Sequence, residues 1–135
     1  MRKARCSCGA VEVSIGNAEP DAVVVCHCIA CQRRTGSVFG IGVYYPKDAL
    51  TITGKTKEFA RDTDSGGKLR SHFCPECGTS VYWTVDKQPG RFGIAAGAFG
   101  DLSLPTPARS VWEETKHPWV DVTAIAQHFP KGRVT

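Results

Sequence analysis

The sequence predicts that residues 1–135 form a single, mainly β domain. Short segments of alternating apolar and polar residues recur along the chain, and glycine and proline interrupt them at frequent intervals. The length of 135 residues is enough to bury one hydrophobic core, and 41% hydrophobic with 22% charged residues is ordinary for a globular protein. The seven cysteines are clustered. In a reducing compartment such clusters indicate metal binding rather than disulfides.

Alternation is clearest near the start, where Val11, Val13 and Ile15 are separated by Glu12 and Ser14, as is typical of a half-buried strand. Further strands are predicted at residues 22–25, 37–45, 50–53, 57–60, 68–73, 80–85, 92–98 and 111–113. The strands at 80–85 and 92–98 are predicted to form a hairpin across a turn at 87–90, which contains Pro89 and Gly90.

Two short helical segments are predicted. One turn follows Cys31 and stops at Gly36, since glycine readily ends a helix. The second covers residues 123–129, because Ile125 and Phe129 lie four apart and Pro130 would end a helix there.

The chain is organised around three cysteines within six residues, Cys26, Cys28 and Cys31. Zinc prefers four ligands: a structural site takes all four from protein, and a catalytic site keeps one position open. The triplet therefore predicts a zinc site with an open position. A closed site is the alternative, with a fourth ligand from His27, His72 or Asp62. If Cys26 and Cys28 point the same way on an extended chain, His27 points away from the metal and packs or hydrogen-bonds behind it.

The remaining cysteines form two pairs, Cys6/Cys8 and Cys74/Cys77. Residues two apart on an extended chain share a face, so the first pair supplies half of a tetrahedral site. Cys-x-x-Cys followed by glycine has the form of a zinc knuckle, and no βαβ pattern supports a thioredoxin-like reading. A four-thiolate site plus the triplet uses every cysteine. In the alternative partition, Cys26 and Cys28 join Cys74 and Cys77.

The formal net charge is +4. Seven thiolates holding two zinc ions would reduce it to about +1, since metal ligation deprotonates cysteine. The charge is therefore poor support for nucleic-acid binding. No apolar stretch follows the basic start, and no run approaches the roughly 20 apolar residues of a membrane span. We therefore expect a cytoplasmic protein without nucleic-acid or membrane partners.

Several stretches together resemble the glutathione-dependent formaldehyde-activating enzymes, a family that shares its domain with centromere protein V. The resemblance covers residues 6 to about 120, and its motifs are Cys6-Ser7-Cys8-Gly9, Cys26-His27-Cys28-Ile29-Ala30-Cys31, Thr35-Gly36-Ser37, Phe73-Cys74-Pro75-Glu76-Cys77-Gly78, Ala96-Gly97 and Lys116-His117-Pro118-Trp119.

The resemblance implies small antiparallel sheets around zinc, a fold called a β-tent. It also implies two zinc ions, a structural one at Cys6, Cys8, Cys74 and Cys77 and an active-site one at Cys26, Cys28 and Cys31. The implied activity is that of a carbon–sulfur lyase, which reversibly joins glutathione and formaldehyde to S-hydroxymethylglutathione. The substrate sulfur would take the open zinc position. Arg33 and Arg34, just past the third ligand, are candidates to hold glutathione carboxylates, although both could also be solvated surface residues.

Two positions depart from the family pattern. Family members usually have an aspartate soon after the Ala-Gly turn, where this chain has Gly97-Ala98-Phe99-Gly100-Asp101. They also have a histidine before the late aromatic strand, where this chain has Ser110.

Two other functions are considered. One is a non-catalytic zinc module for interaction or metal handling, which the centromere protein V branch suggests, although no lysine-rich tail is present. The other is a type B methionine sulfoxide reductase, which would need a nucleophilic cysteine near the carboxy terminus. The last cysteine is Cys77, far from the carboxy-terminal end, so the cysteine pattern does not favour this reductase.

Overall fold

The computed structural model describes residues 1–132. Its strands, in chain order, are β1 (Lys3–Arg5), β2 (Glu12–Ile15), β3 (Ala22–Cys26), β4 (Gly40–Pro46), β5 (Leu50–Thr53), β6 (Lys57–Asp62), β7 (Lys68–Phe73), β8 (Ser80–Val85), β9 (Gln88–Ala95), β10 (Arg109–Val111) and β11 (Gln127–His128). One α-helix, α1 (Ile29–Thr35), follows β3. Short 3-10 turns lie at Lys47–Ala49, Ala96–Phe99 and Glu113–Thr115. The predicted mainly β class is confirmed.

The strands form two sheets. A three-stranded sheet has the order β1-β2-β5, and an eight-stranded sheet has the order β11-β10-β3-β4-β9-β8-β7-β6. Neighbouring strands are antiparallel, except that β10 runs parallel to both β3 and β11. No helix in residues 1–132 is long and apolar enough to cross a membrane.

A shared core joins the two sheets. Val13 and Ile15 of β2 are buried by alternation, and they belong to the same apolar cluster as Val43, Tyr45 and Ile94 of the large sheet. Val43 lies directly opposite Ile94 in the β4–β9 pair. Because side chains alternate across a strand, the intervening residues of β4 and β9 point to the opposite face of the large sheet.

That opposite face carries the candidate site, and we call it the site face. Across it, Tyr44, Gly93 and Trp83 lie side by side in register on β4, β9 and β8. Trp83 is 5% exposed, and its ring occupies the space above two glycines. A Cβ on Gly93 would lie 2.3 Å from Trp83 Nε1, and one on Gly42 would lie 2.7 Å from Trp83 Cζ2. The missing side chains therefore let the indole lie against the sheet.

The helix predicted at 123–129 is wrong. Val122 accepts a hydrogen bond from the backbone of Ile125 in a tight turn, and residues 127 and 128 then form β11. Ile125 and Phe129 are both apolar but face different surroundings: Ile125 is buried, and Phe129 packs against the cluster of Val24 and Val111. Their spacing of four therefore reflects two separate contacts rather than one helical stripe.

Several strand boundaries also differ from the predictions, most clearly in β9 and β10. The hairpin turn is tighter than predicted, because β9 begins at Gln88 and Val85 pairs with Gln88 across a bulge. Strand β9 ends at Ala95, where a 3-10 turn begins. Strand β10 ends at Val111, because Trp112 adopts a left-handed conformation with φ 58°.

We expect Gly93→Ala to destabilise the fold by about 1–3 kcal/mol, because the added methyl group overlaps the Trp83 ring. Urea unfolding gives the free energy, and near-ultraviolet circular dichroism reports the displaced indole. Gly90→Ala is the matched control in the same strand, since a Cβ there would meet no atom within 4 Å. Equal stabilities for the two variants would contradict this packing.

Candidate metal centres and the surface beside them

The first cluster joins two distant turns. Cys6 and Cys8 follow β1, and Cys74 and Cys77 follow β7. Gly9 donates to Cys6 O in the first turn, and Gly78 donates to Cys74 O in the second. The two cysteines of the first pair therefore lie in a turn and not on the extended strand that the sequence suggested. The four cysteines nevertheless come together, each offering an Sγ within 4.8 Å of the others.

The sulfur atoms in this cluster are close enough together to bind one metal ion and too far apart to form disulfides. Cys6 Sγ lies 3.7 Å from Cys8 Sγ, and Cys8 Sγ lies 3.7 Å from Cys74 Sγ. A disulfide requires about 2.05 Å, and all seven cysteines are free. Cys6 and Cys74 are buried, whereas Cys8 and Cys77 are exposed, so the cluster has an inner and an outer pair.

Backbone and hydroxyl groups surround these sulfurs with hydrogen-bond donors. Val11 N–H donates to Cys6 Sγ over 3.2 Å. Thr79 Oγ1 lies 3.3 Å from Cys77 Sγ, and Thr79 also hydrogen-bonds to Ser7 in the other turn. The hydroxyl of Thr79, and then its backbone N–H, lower the pKa of Cys77 to about 5. Donors aimed at sulfur stabilise the thiolate that binds a metal.

The second cluster is formed where β3 ends and α1 begins. Cys26 is the last residue of β3, Cys28 is the N-cap of α1, and Cys31 lies in its first turn. Their three Sγ atoms lie within 4.8 Å of one another. Cys28 Sγ accepts the N–H of Cys31 over 3.3 Å, and Gly36 ends the helix at φ 71°. The short helix predicted before Gly36 is therefore present, and it begins three residues earlier than expected.

The three thiols of this cluster shift one another's pKa. Hydrogen bonds from the thiols of Cys26 and Cys31, and more weakly the positive charge of Arg61, lower the pKa of Cys28 to about 2. Hydrogen bonds to Cys28 and then Cys31 raise the pKa of Cys26. All three residues are partly exposed, so the cluster opens toward solvent on the site face.

None of the three predicted rivals joins this cluster; within residues 1–132 it contains only the three cysteines. His27 is fully buried and bonds to Ser110 behind the site. His72 Nδ1 lies 2.8 Å from Thr56 Oγ1, and the ring stacks on Tyr82. Asp62 pairs with Lys68 at 2.7 Å. The alternative partition is also not the one adopted, because Cys74 and Cys77 lie in the other cluster.

Ser110 stands where the family usually has a histidine. It is the hydrogen-bond partner of His27, which lies between Cys26 and Cys28 in the sequence. His27 Nε2 lies 2.8 Å from Ser110 Oγ. Burial alone would raise the pKa of Glu113, but hydrogen bonds from Ser110 and then His128 lower it below its usual value. His27 Nδ1, on the other side of the ring, is buried and has no hydrogen-bond partner in the described chain.

Arg33 and Arg34 have different surroundings. Arg33 is exposed, and among residues 1–132 it makes no hydrogen bond, ion pair or ring contact. Arg34 is half-buried, with Cζ 4.4 Å from the centroid of the Trp83 ring. Its Nη2 and Cys31 Cβ lie 2.8 Å and 3.5 Å from the position that a Cβ on Gly40 would take. Arg34 therefore lies at the triplet.

Comparison with known protein families gives a match over most of the chain. The family model described as glutathione-dependent formaldehyde-activating enzyme matches residues 1–115. The chain belongs to this family.

Curated relatives of the family are similar at low identity. One from Podospora anserina is 29% identical over 69 residues, covering 51% of this chain and 32% of its own. One from Penicillium rubens is 28% identical over 87 residues, covering 63% and 44%. One from Fusarium vanettenii is 27% identical over 89 residues, covering 64% and 46%. Each bears the name "Putative glutathione-dependent formaldehyde-activating enzyme". The chain spans less than half the length of these relatives.

A solved structure shares the fold. The crystal structure of a Rhodobacter sphaeroides protein matches with a TM-score of 0.55 and 17% identity, covering 94% of this chain and 98% of that one. At that identity the likeness concerns the fold alone.

Sequence reasoning missed four residues on the site face of this family member. Trp83 and Tyr44 line that face, and their rings contact edge-on with centroids 6.2 Å apart. Arg91 lies over Tyr44, with Cζ 4.5 Å from the ring centroid, and Arg61 leaves β6 on the same face as Trp83. The alternation of β6, β8 and β9 does place Arg61, Trp83 and Arg91 on definite faces. It does not say which face meets the cysteines.

We expect Ser110→Ala to cost about 1–3 kcal/mol of unfolding free energy, because it leaves the buried Nε2 of His27 without its hydrogen-bond partner. Chemical denaturation followed by circular dichroism measures the loss. Ser37→Ala is the control, since Ser37 is exposed, and it should change stability by less than about 0.5 kcal/mol. A Ser110→Ala variant as stable as this control would rule out the proposed hydrogen bond.

Proposed function

We propose that this chain is a zinc-dependent protein of carbon–sulfur lyase type that binds glutathione and joins it to formaldehyde as S-hydroxymethylglutathione. The observation that carries the proposal is the triplet of Cys26, Cys28 and Cys31, which faces solvent with no fourth protein ligand in residues 1–132. The names of the family and its relatives support the two substrates. Residues 1–135 would act as one domain in the cytoplasm, where thiols stay reduced.

Zinc fits both clusters. With zinc–sulfur bonds of about 2.3 Å, tetrahedral geometry separates the sulfurs by about 3.8 Å. The two spacings of 3.7 Å in the four-cysteine cluster agree with that value. We therefore assign one structural zinc to Cys6, Cys8, Cys74 and Cys77, and a second, at the active site, to the triplet.

The composition of the triplet favours a thiol over water. Three thiolates outweigh the charge of a divalent cation and leave about −1, so such a centre polarises water weakly and prefers another soft ligand. When bound, zinc would supply a position at which the sulfur of a thiol loses its proton near neutral pH. The expected chemistry is therefore thiol addition and not hydrolysis.

The protein's own residues would orient the substrate thiol and supply positive charge for its carboxylates. Helix α1 holds Cys28 and Cys31 toward one point, and Gln32 of that helix donates to His27 O over 2.9 Å, which fixes the loop between the ligands. Arg34, held over Trp83, is the better placed of the two predicted arginines to meet a glutathione carboxylate. A thiol held in this orientation would react with formaldehyde in an effectively unimolecular step. The lower entropy cost of that step would account for part of the rate increase.

The reaction balances without an added oxidant or reductant. A sulfur lone pair forms the C–S bond to the formaldehyde carbon while the carbonyl π bond breaks. The oxygen takes up the proton that the thiol gave up, so thiol and aldehyde become a hydroxymethyl thioether with no other product.

Acceleration of this reaction is the decisive measurement. We expect the zinc-loaded protein to speed the exchange of formaldehyde on and off glutathione, measured by NMR exchange spectroscopy, by at least about tenfold over an equal amount of Cys28→Ser. Ser37→Ala should match the unaltered chain. Binding of glutathione without acceleration would refute catalysis and favour the non-catalytic zinc module.

The two clusters should respond differently to loss of one cysteine. We expect Cys74→Ser to lower the melting temperature by about 10 °C or more, because ligation of a metal that ties distant turns together is folding free energy. Cys28→Ser should remove one zinc per chain, by metal analysis, and lower the melting temperature by less than about 4 °C. Equal losses of stability would make the triplet structural, and one zinc per chain in the unaltered protein would contradict the two-zinc assignment.

A further inference from the structure

Positive charge gathers on the site face of the large sheet. Phe59, Ser71 and Trp83 lie side by side in register on β6, β7 and β8, and the row continues to Gly93 and Tyr44. Arg61 stands two residues after Phe59, so its side chain leaves β6 on the same face. In register with Arg61 lie Leu69 on β7 and then Val85 on β8.

Arg91 and Arg34 join this face from two other elements. Arg91 stands two residues before Gly93 in β9 and lies over the Tyr44 ring at 4.5 Å. Arg34 projects from α1 over the Trp83 ring at 4.4 Å. The two rings are themselves linked, since Trp83 Nε1 donates to Tyr44 Oη over 3.4 Å. The aromatic pair thus fixes one guanidinium on each ring.

Stacking leaves these guanidinium groups available to a ligand. A guanidinium that lies on a ring uses its flat face for that contact, while its N–H donors point outward in the plane of the group. Arg91 donates one hydrogen bond to Gln88 Oε1 over 3.2 Å, and Arg61 donates one to Asp62 O over 3.3 Å. Most of the donors on both side chains remain for planar acceptors such as carboxylates.

The three arginines lack acidic neighbours. In the part of the chain that the structure describes, none of Arg34, Arg61 and Arg91 forms an ion pair with a carboxylate. The contrast is Arg70, on the other face of the sheet, which pairs with Glu58 at 3.2 Å and Asp86 at 3.0 Å. Glu58 and Asp62 belong to β6 as well, but alternation directs them away from Arg61.

We propose that Arg34, Arg61 and Arg91 form a carboxylate-binding surface beside the triplet, which makes this site specific for a thiol that carries more than one carboxylate. The inference rests on the proposed function and adds to it. Arg61 and Arg91, on strands far along the chain, are specificity-determining residues alongside the helix residue Arg34. Three cations exceed the negative charge of a three-thiolate zinc centre, so a dianionic ligand complements the surface, whereas a neutral or cationic thiol does not.

Direct binding separates these ligand classes. The cobalt-loaded full chain is titrated with glutathione, mercaptosuccinate, 2-mercaptoethanol and cysteamine, and the thiolate-to-cobalt absorption band gives each Kd. We expect both carboxylated thiols to bind at least about tenfold more tightly than 2-mercaptoethanol. The difference should shrink as salt is added, because exposed charges are screened.

Matched variants identify the residues. Arg61→Gln and Arg91→Gln should each weaken mercaptosuccinate binding by about tenfold and leave the Kd of 2-mercaptoethanol unchanged. Arg34→Gln should do the same, and Arg34→Lys tests whether charge without stacking suffices. Arg33→Gln is the control, because Arg33 adjoins Arg34 on the same helix but is exposed and makes no hydrogen bond, ion pair or ring contact in residues 1–132.

Different titration results would overturn the arginine surface and the proposed function. Equal affinity for all four thiols, or equal effects of Arg33→Gln and Arg61→Gln, would overturn the arginine surface and leave thiol binding intact. No spectral change with any thiol would overturn the proposed function. Calorimetry with S-methylglutathione, which keeps the carboxylates but has no free thiol, then decides the surface alone: binding lost in Arg61→Gln supports it, and no binding refutes it.

Discussion

The approach of four cysteine sulfurs from two turns far apart in sequence is the constraint on which this structure depends. Cys8 and Cys74 are 66 positions apart, yet their sulfurs lie 3.7 Å from each other. One turn follows the first strand of the small sheet and the other follows β7 of the large sheet. The cluster therefore fixes the two sheets at one end, while the apolar core shared by Val13, Val43 and Ile94 fills the space between them.

The alternation of side chains in the large sheet places the main core on one face and the candidate site on the other. In β4, Val43 and Tyr45 pack into the core, whereas Gly42 and Tyr44 face the site. Adjacent positions of this strand therefore belong to different surroundings. The same rule brings Arg61 and Trp83 to one surface, although 22 positions separate them, while their neighbours Asp62 and Tyr82 face away.

Short-range patterns were the part of the fold that the sequence could predict. Alternation located most strands, and cysteine spacing predicted both clusters, since ligands two or three residues apart converge on their own. The helix at 123–129 failed because a periodicity of four does not show which neighbours each residue meets. Arg61 and Arg91 were missed because their place depends on the register between strands, and Ser110 gained meaning only once the parallel pairing of β10 with β3 placed it against His27.

Helix α1 has only seven residues, fewer than an isolated helix needs to persist in water. Its first hydrogen-bond acceptor is the sulfur of Cys28, so whatever immobilises that sulfur also nucleates the helix. Gln32 connects the helix to the later part of the chain. Its side chain donates a hydrogen bond to Thr115 O and accepts one from His117. A shift of α1 is therefore transmitted through Gln32 to the segment around Thr115, which lies well beyond the three cysteines.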